Sequence, residues 1–80
     1  MRDLRIYVEP VGAGGRGGDA AFYSQRAGGP YYRWVYAEGA GRWRFSRVLL
    51  SRLSLRVLCV APWEAVPTAL RDRLGEHYLD

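Results

Sequence analysis

Apolar and polar side chains alternate with a period of two in four separate stretches of this chain. Leu4, Ile6 and Val8 alternate with Arg5, Tyr7 and Glu9, the pattern of a strand with one buried face. Pro10 ends it, because proline has no N–H to offer a ladder. "AFYSQR" (21–26), "YYRWVYA" (31–37) and "RWRFSRV" (42–48) repeat the pattern, separated by "AGGP" and "EGAG". Four-residue breaks containing glycine join adjacent antiparallel strands, so these three runs predict a meander, with Leu4–Val8 as an N-terminal fourth strand.

The breaks also predict the register. Closing "EGAG" as a four-residue loop pairs Ala37 with Arg42, Tyr36 with Trp43, Trp34 with Phe45 and Tyr32 with Arg47. Val35 then meets Arg44 and Arg33 meets Ser46 on the reverse face. Closing "AGGP" in the same way pairs Arg26 with Tyr31 and sets Tyr23 beside Trp34. The sheet so built has an aromatic side, with Tyr23, Tyr32, Trp34, Tyr36, Trp43 and Phe45. Its other side holds Arg26, Arg33, Arg42 and Arg44, with Phe22, Ser24 and Ser46 among them.

A helix is predicted over 67–79, opened by Pro67, which suits a first helical position. Val66, Leu70, Leu74 and Tyr78 recur every fourth residue as one apolar stripe. Laying this stripe on the aromatic side brings Leu70 and Leu74 to Trp34 and Phe45 and leaves the arginine side facing solvent. Gly75 costs about 1 kcal/mol relative to alanine, so the last turn frays. Pro62 starts a separate short turn. The stretch 49–61 is ambiguous: Leu53, Leu55 and Val57 alternate as in a strand, whereas Leu50, Leu53, Val57 and Val60 fit helical spacing with Ser51 or Ser54 as caps. It is read as extended. The fold class expected is α+β: a small antiparallel meander of three strands plus the N-terminal strand, packed on one side by a C-terminal α-helix.

Length and composition make this a single domain, 1–80. Eighty residues, 49% of them hydrophobic, suffice for one core of modest stability, and a homodimer would bury more. Five glycines within Gly12–Gly18 read as a flexible loop. No Gly-Lys-Ser/Thr follows it, so it is not a phosphate-binding loop.

Charge adds a second layer. All twelve basic residues are arginine. Seven lie between Arg26 and Arg56 against Glu38 alone, whereas Val57–Asp80 carries two against Glu64, Asp72, Glu76 and Asp80. Guanidinium groups crowded on one sheet face repel one another and suit an anionic partner, since each can grip a phosphate or a guanine edge with two hydrogen bonds.

Catalytic chemistry is not indicated. His77 is the sole histidine and Cys59 the sole cysteine, so no disulfide and no cluster of metal ligands is expected. Cys59, in "RVLCVAP", reads as a buried, inert thiol. Glu64 and Asp72 form no placed pair, and Ser46, Ser51 and Ser54 have no base. No cofactor is implied. The N-terminus lacks the apolar run of a signal peptide, and Val57–Trp63 is too short to span a bilayer. A cytoplasmic protein without a membrane partner is therefore expected.

In element order, residues 21–78 are similar to two DNA-binding families. These are the plant ethylene-response-type domains and the arm-binding domains of tyrosine recombinases, in which three antiparallel strands are backed by one C-terminal helix. That resemblance implies that the open sheet face enters the major groove. It is one of layout and rests on no shared motif. The function expected is a small, non-enzymatic nucleic-acid-binding module using Arg26, Arg33, Arg42 and Arg44, with Arg47 at the sheet edge. The alternative is a protein-interaction or regulatory module, with a homodimer among its forms, that does not bind nucleic acid.

Overall fold

A computed structural model describes residues 3–10 and 20–79. The glycine-rich loop expected over 12–18 lies outside the described residues. Strands β1 (Leu4–Val8), β2 (Phe22–Arg26), β3 (Tyr31–Ala37) and β4 (Arg42–Val48) follow one another. A short helix α1 (Arg52–Arg56), a two-residue strand β5 (Cys59–Val60), a 3-10 turn (Trp63–Ala65) and helix α2 (Thr68–His77) complete the chain. The strands form one sheet in the order β4-β3-β2-β1-β5, antiparallel at every junction. With α2 it makes the expected α+β fold, and the sheet is open rather than closed into a barrel.

The β3–β4 register is the one the four-residue loop dictates, from Ala37↔Arg42 through Trp34↔Phe45 to Tyr32↔Arg47. Gly41 closes that loop at φ 66°, where a side chain would be strained, and donates its N–H to the Ala37 carbonyl at 2.8 Å.

The β2–β3 register differs from expectation by one residue. Gln25, not Arg26, faces Tyr31, and Phe22, not Tyr23, faces Trp34. Arg26 instead opens a tight turn: the Gly29 N–H donates to its carbonyl at 2.7 Å, with Gly28 at φ 78°. This is the positive φ that the third position of a type II turn needs. Pro30 follows as a spacer with no N–H. The loop is thus five residues long, 26–30, and its odd length reverses every side chain of β2. Phe22, Ser24 and Arg26 point to the helix side, and Tyr23 and Gln25 to the other.

The core lies between the sheet and α2. Ile6, Phe22, Trp34, Trp43, Ala61, Val66, Leu70 and Leu74 form one buried cluster. Leu70 and Leu74 lie on the apolar stripe of α2 and are fully enclosed. Phe45, expected beneath the helix, stays 45% exposed, because α2 leaves the edge strand partly open. Ser24, brought inward by the shifted register, is the one buried polar residue among the described residues. Its Oγ accepts from Trp34 Nε1 at 2.8 Å and bonds the Tyr78 hydroxyl at 2.7 Å, so its burial leaves no polar group unsatisfied.

Residues 49–61 are not simply extended. β4 and β5 occupy opposite edges, so the chain between them crosses four strand spacings, about 19 Å. The ten residues 49–58 would reach about 33 Å if extended. One turn of helix takes up the slack. Ser51 caps it, its Oγ accepting the Ser54 N–H at 3.1 Å. α1 buries none of its residues. The crossover lies over the side of the sheet away from α2: Leu50, Ser54, Val57 and Leu58 share a cavity of about 330 Å³ with Glu9, Pro10 and Tyr23, and Tyr23 is buried there. That side is therefore not open to solvent throughout. Cys59, expected inside, is exposed on the edge strand.

Candidate nucleic-acid interface

The five arginines expected to share one sheet face are divided by the structure. Arg42 and Arg44 stand on the side away from α2, exposed, on the edge strand β4. Arg33 is on the same side but half-buried. Its Nε donates to the Tyr23 hydroxyl at 3.2 Å, and that hydroxyl donates to Glu9 Oε2 at 3.4 Å. Part of its charge is thereby answered within the molecule. Arg47 lies on the helix side of β4, exposed.

Arg26 departs furthest from expectation. The register shift turns it to the helix side, where one terminal guanidinium nitrogen donates to the Tyr78 carbonyl at 2.9 Å. Its guanidinium carbon lies 5.3 Å from the centre of the Tyr78 ring, within cation–π range. Arg26 holds the end of α2 to the sheet and does not stand with Arg42 and Arg44.

Two further arginines, not singled out from sequence, are exposed on α1: Arg52 and Arg56. A legible signal existed, since no acid occurs between Glu38 and Glu64. Arg42, Arg44, Arg47, Arg52 and Arg56 make no hydrogen bond or ion pair among the described residues. Arg73 is different, bridging to the Trp43 carbonyl at 3.1 Å and to Glu76 at 3.4 Å.

His77 belongs to the aromatic layer. Its ring centre lies 4.5 Å from those of Tyr32 and Phe45 and 5.4 Å from that of Trp34. Burial, and secondarily the Arg73 charge, holds its pKa below the ordinary histidine value. Among the described residues there is no group of three or more His, Cys, Asp or Glu able to hold a metal ion. No helix among them is long and apolar enough to cross a membrane.

Comparison with protein-family models, with curated proteins and with solved structures finds no match for this chain. The likeness in element order to ethylene-response-type and recombinase arm-binding domains thus has no support from these comparisons. The five-stranded sheet and the crossover over one side are also additions to that layout.

Proposed function

We propose that this chain is a small, non-enzymatic nucleic-acid-binding module whose contact surface is β4 and α1 rather than an uncovered sheet face. Arg42, Arg44, Arg47, Arg52 and Arg56 are the contact residues, with Arg33 beside them. One observation carries the reading: these five guanidinium groups are exposed and have no partner among the described residues. A guanidinium keeps its charge at any physiological pH and offers donors in a planar fork that matches two phosphate oxygens. Five such contacts to duplex DNA would release counterions and give log affinity against log salt a slope of about −4 to −5.

The test is titration of fluorescent single- and double-stranded oligonucleotides at two salt concentrations. Binding that weakens steeply with salt is expected, and no binding at low salt overturns the reading. A second reading, a protein-interaction module binding a protein partner or a second copy of itself, is favoured by the apolar surface of the crossover. Leu49 is 96% exposed, Leu53 74% and Val57 63%. Under that reading the mass in solution rises with concentration, or a protein partner covers these side chains, and oligonucleotides are ignored.

A further inference from the structure

The opposite edge of the sheet carries a different feature. Asp3 accepts from the Ala27 N–H at 2.9 Å and Glu9 donates to the Ala21 carbonyl at 3.1 Å. The odd-numbered residues of β1 therefore direct their backbone groups to β2. By the alternation of an antiparallel ladder, Leu4, Ile6 and Val8 direct theirs outward. β5 meets only Tyr7 and Val8 in register, and Ala61 adds one bond to the Ile6 carbonyl at 2.9 Å. The chain then turns off at Pro62 into the 3-10 turn. Leu4 is left with its outward N–H and C=O facing no strand among the described residues.

A groove of about 560 Å³ opens at that place, lined by Leu4, Arg5, Ile6, Tyr7, Val60, Ala61 and Trp63. Consecutive residues of β1, of both facings, line it, so it runs along the strand edge rather than under one face. Val60 is 76% exposed and Trp63 39%, so apolar surface borders it. Arg5 is the one charged lining residue, exposed and without a partner among the described residues.

We infer that this groove receives an extended peptide segment of a partner protein, added to the edge of β1 at Leu4, past the end of β5. The peptide backbone pairs with Leu4, an apolar side chain lies against the half-buried Leu4 side chain and Trp63, and a neighbouring carboxylate meets Arg5. Strand addition of this kind takes affinity from main-chain hydrogen bonds and specificity from alternate side chains. The apolar and acidic positions are adjacent in the peptide because Leu4 and Arg5 point to opposite faces of β1. A second copy of this chain does not fit the same place, since a two-fold contact would set one concave groove against another. This inference uses none of the arginines of β4 and α1 and stands apart from the nucleic-acid reading.

The probe is a short fluorescein-labelled peptide alternating valine and glutamate, titrated by fluorescence anisotropy. Backbone amide shifts of the 15N-labelled protein locate the site. Saturable binding is expected, with the largest shifts at Leu4, Ile6 and Ala61. Trp63→Ala and Arg5→Glu should each weaken it by roughly tenfold or more, as loss of a central anchor does. A peptide alternating valine and arginine should bind wild type poorly and Arg5→Glu better. Both variants alter exposed side chains, and unchanged melting curves confirm that they fold. The Arg42→Gln/Arg44→Gln protein should bind the valine–glutamate peptide as wild type does. The inference is overturned by the absence of binding, by indifference to both groove variants, or by loss of peptide binding in the Arg42/Arg44 variant, which would mean that the acidic peptide sits on the β4 arginines.

Discussion

The indole N–H of Trp34 donates to the hydroxyl of Ser24 at 2.8 Å inside the core. The same hydroxyl is 2.7 Å from that of Tyr78 at the end of α2. One serine therefore ties β2 to β3 and the sheet to the helix. Ser24→Ala strands the indole N–H without a partner, at a cost of about 1–3 kcal/mol. Denaturant melts of Ser24→Ala, Tyr78→Phe and the double variant test this. The two effects should be less than additive, as expected for groups sharing a bond; full additivity would show that the serine–tyrosine contact contributes nothing.

Trp34 itself is 1% exposed and packs beside Phe45, ring centres 5.0 Å apart. Removing a buried large aromatic costs about 3–5 kcal/mol, much of the stability of a small domain. Trp34→Ala should be unfolded or melt far below wild type by circular dichroism. A near-normal melt would mean that the core lies elsewhere.

How much of this was legible in the chain depends on which loop is considered. "EGAG" between Ala37 and Arg42 has an even length and a glycine where the left-handed residue falls, and the register across it follows directly. "AGGP" looks equivalent. Its turn begins one residue earlier, at Arg26, because Gly28 supplies the positive φ and Pro30 cannot join the ladder. One residue of difference carried Arg26 from the proposed site to the helix and Ser24 into the core. α2 was legible because Leu70 and Leu74 repeat at helical spacing and Pro67 marks the start. α1 was legible only as an alternative: the spacing of Leu50, Leu53 and Val57 and the cap at Ser51 allowed a helix, but what decides for it is a distance between two sheet edges that only the strand order reveals. Cys59 misled for the same reason: "RVLCVAP" is apolar, but it serves as a short edge strand.

His77 makes stability depend on pH. Its pKa in the folded protein lies below the ordinary value of 6.5, chiefly through burial and then through the Arg73 charge. The unfolded chain consequently binds the proton more readily than the folded one. The stabilisation is complete above about pH 6.5 and is lost as pH falls through the lower folded pKa. His77→Phe keeps a ring against Tyr32 and Phe45 and removes the titration. The fall in melting temperature between neutral and mildly acid pH should be shallower in this variant. An unchanged pH profile would assign the dependence to other groups.

The placement of the arginines yields a final, paired prediction. Arg42 and Arg44 are exposed and hold nothing in the protein, so changing both to Gln should move stability by only about 0.5 kcal/mol. Oligonucleotide affinity should fall, and the slope of log affinity against log salt should flatten by roughly two phosphate contacts' worth. Arg26→Gln should do the reverse. It removes the guanidinium that donates to the Tyr78 carbonyl at 2.9 Å, so the melting temperature should drop while the salt slope stays that of wild type. Arg33 falls between the two, because its bond to Tyr23 gives it a structural role that Arg44 lacks. Measuring melting curves and salt slopes on the same preparations separates holding the fold from gripping phosphate. Should Arg26→Gln flatten the slope as much as the β4 pair does, the contact surface would lie on the helix side of the sheet, and β4 with α1 would be the wrong assignment.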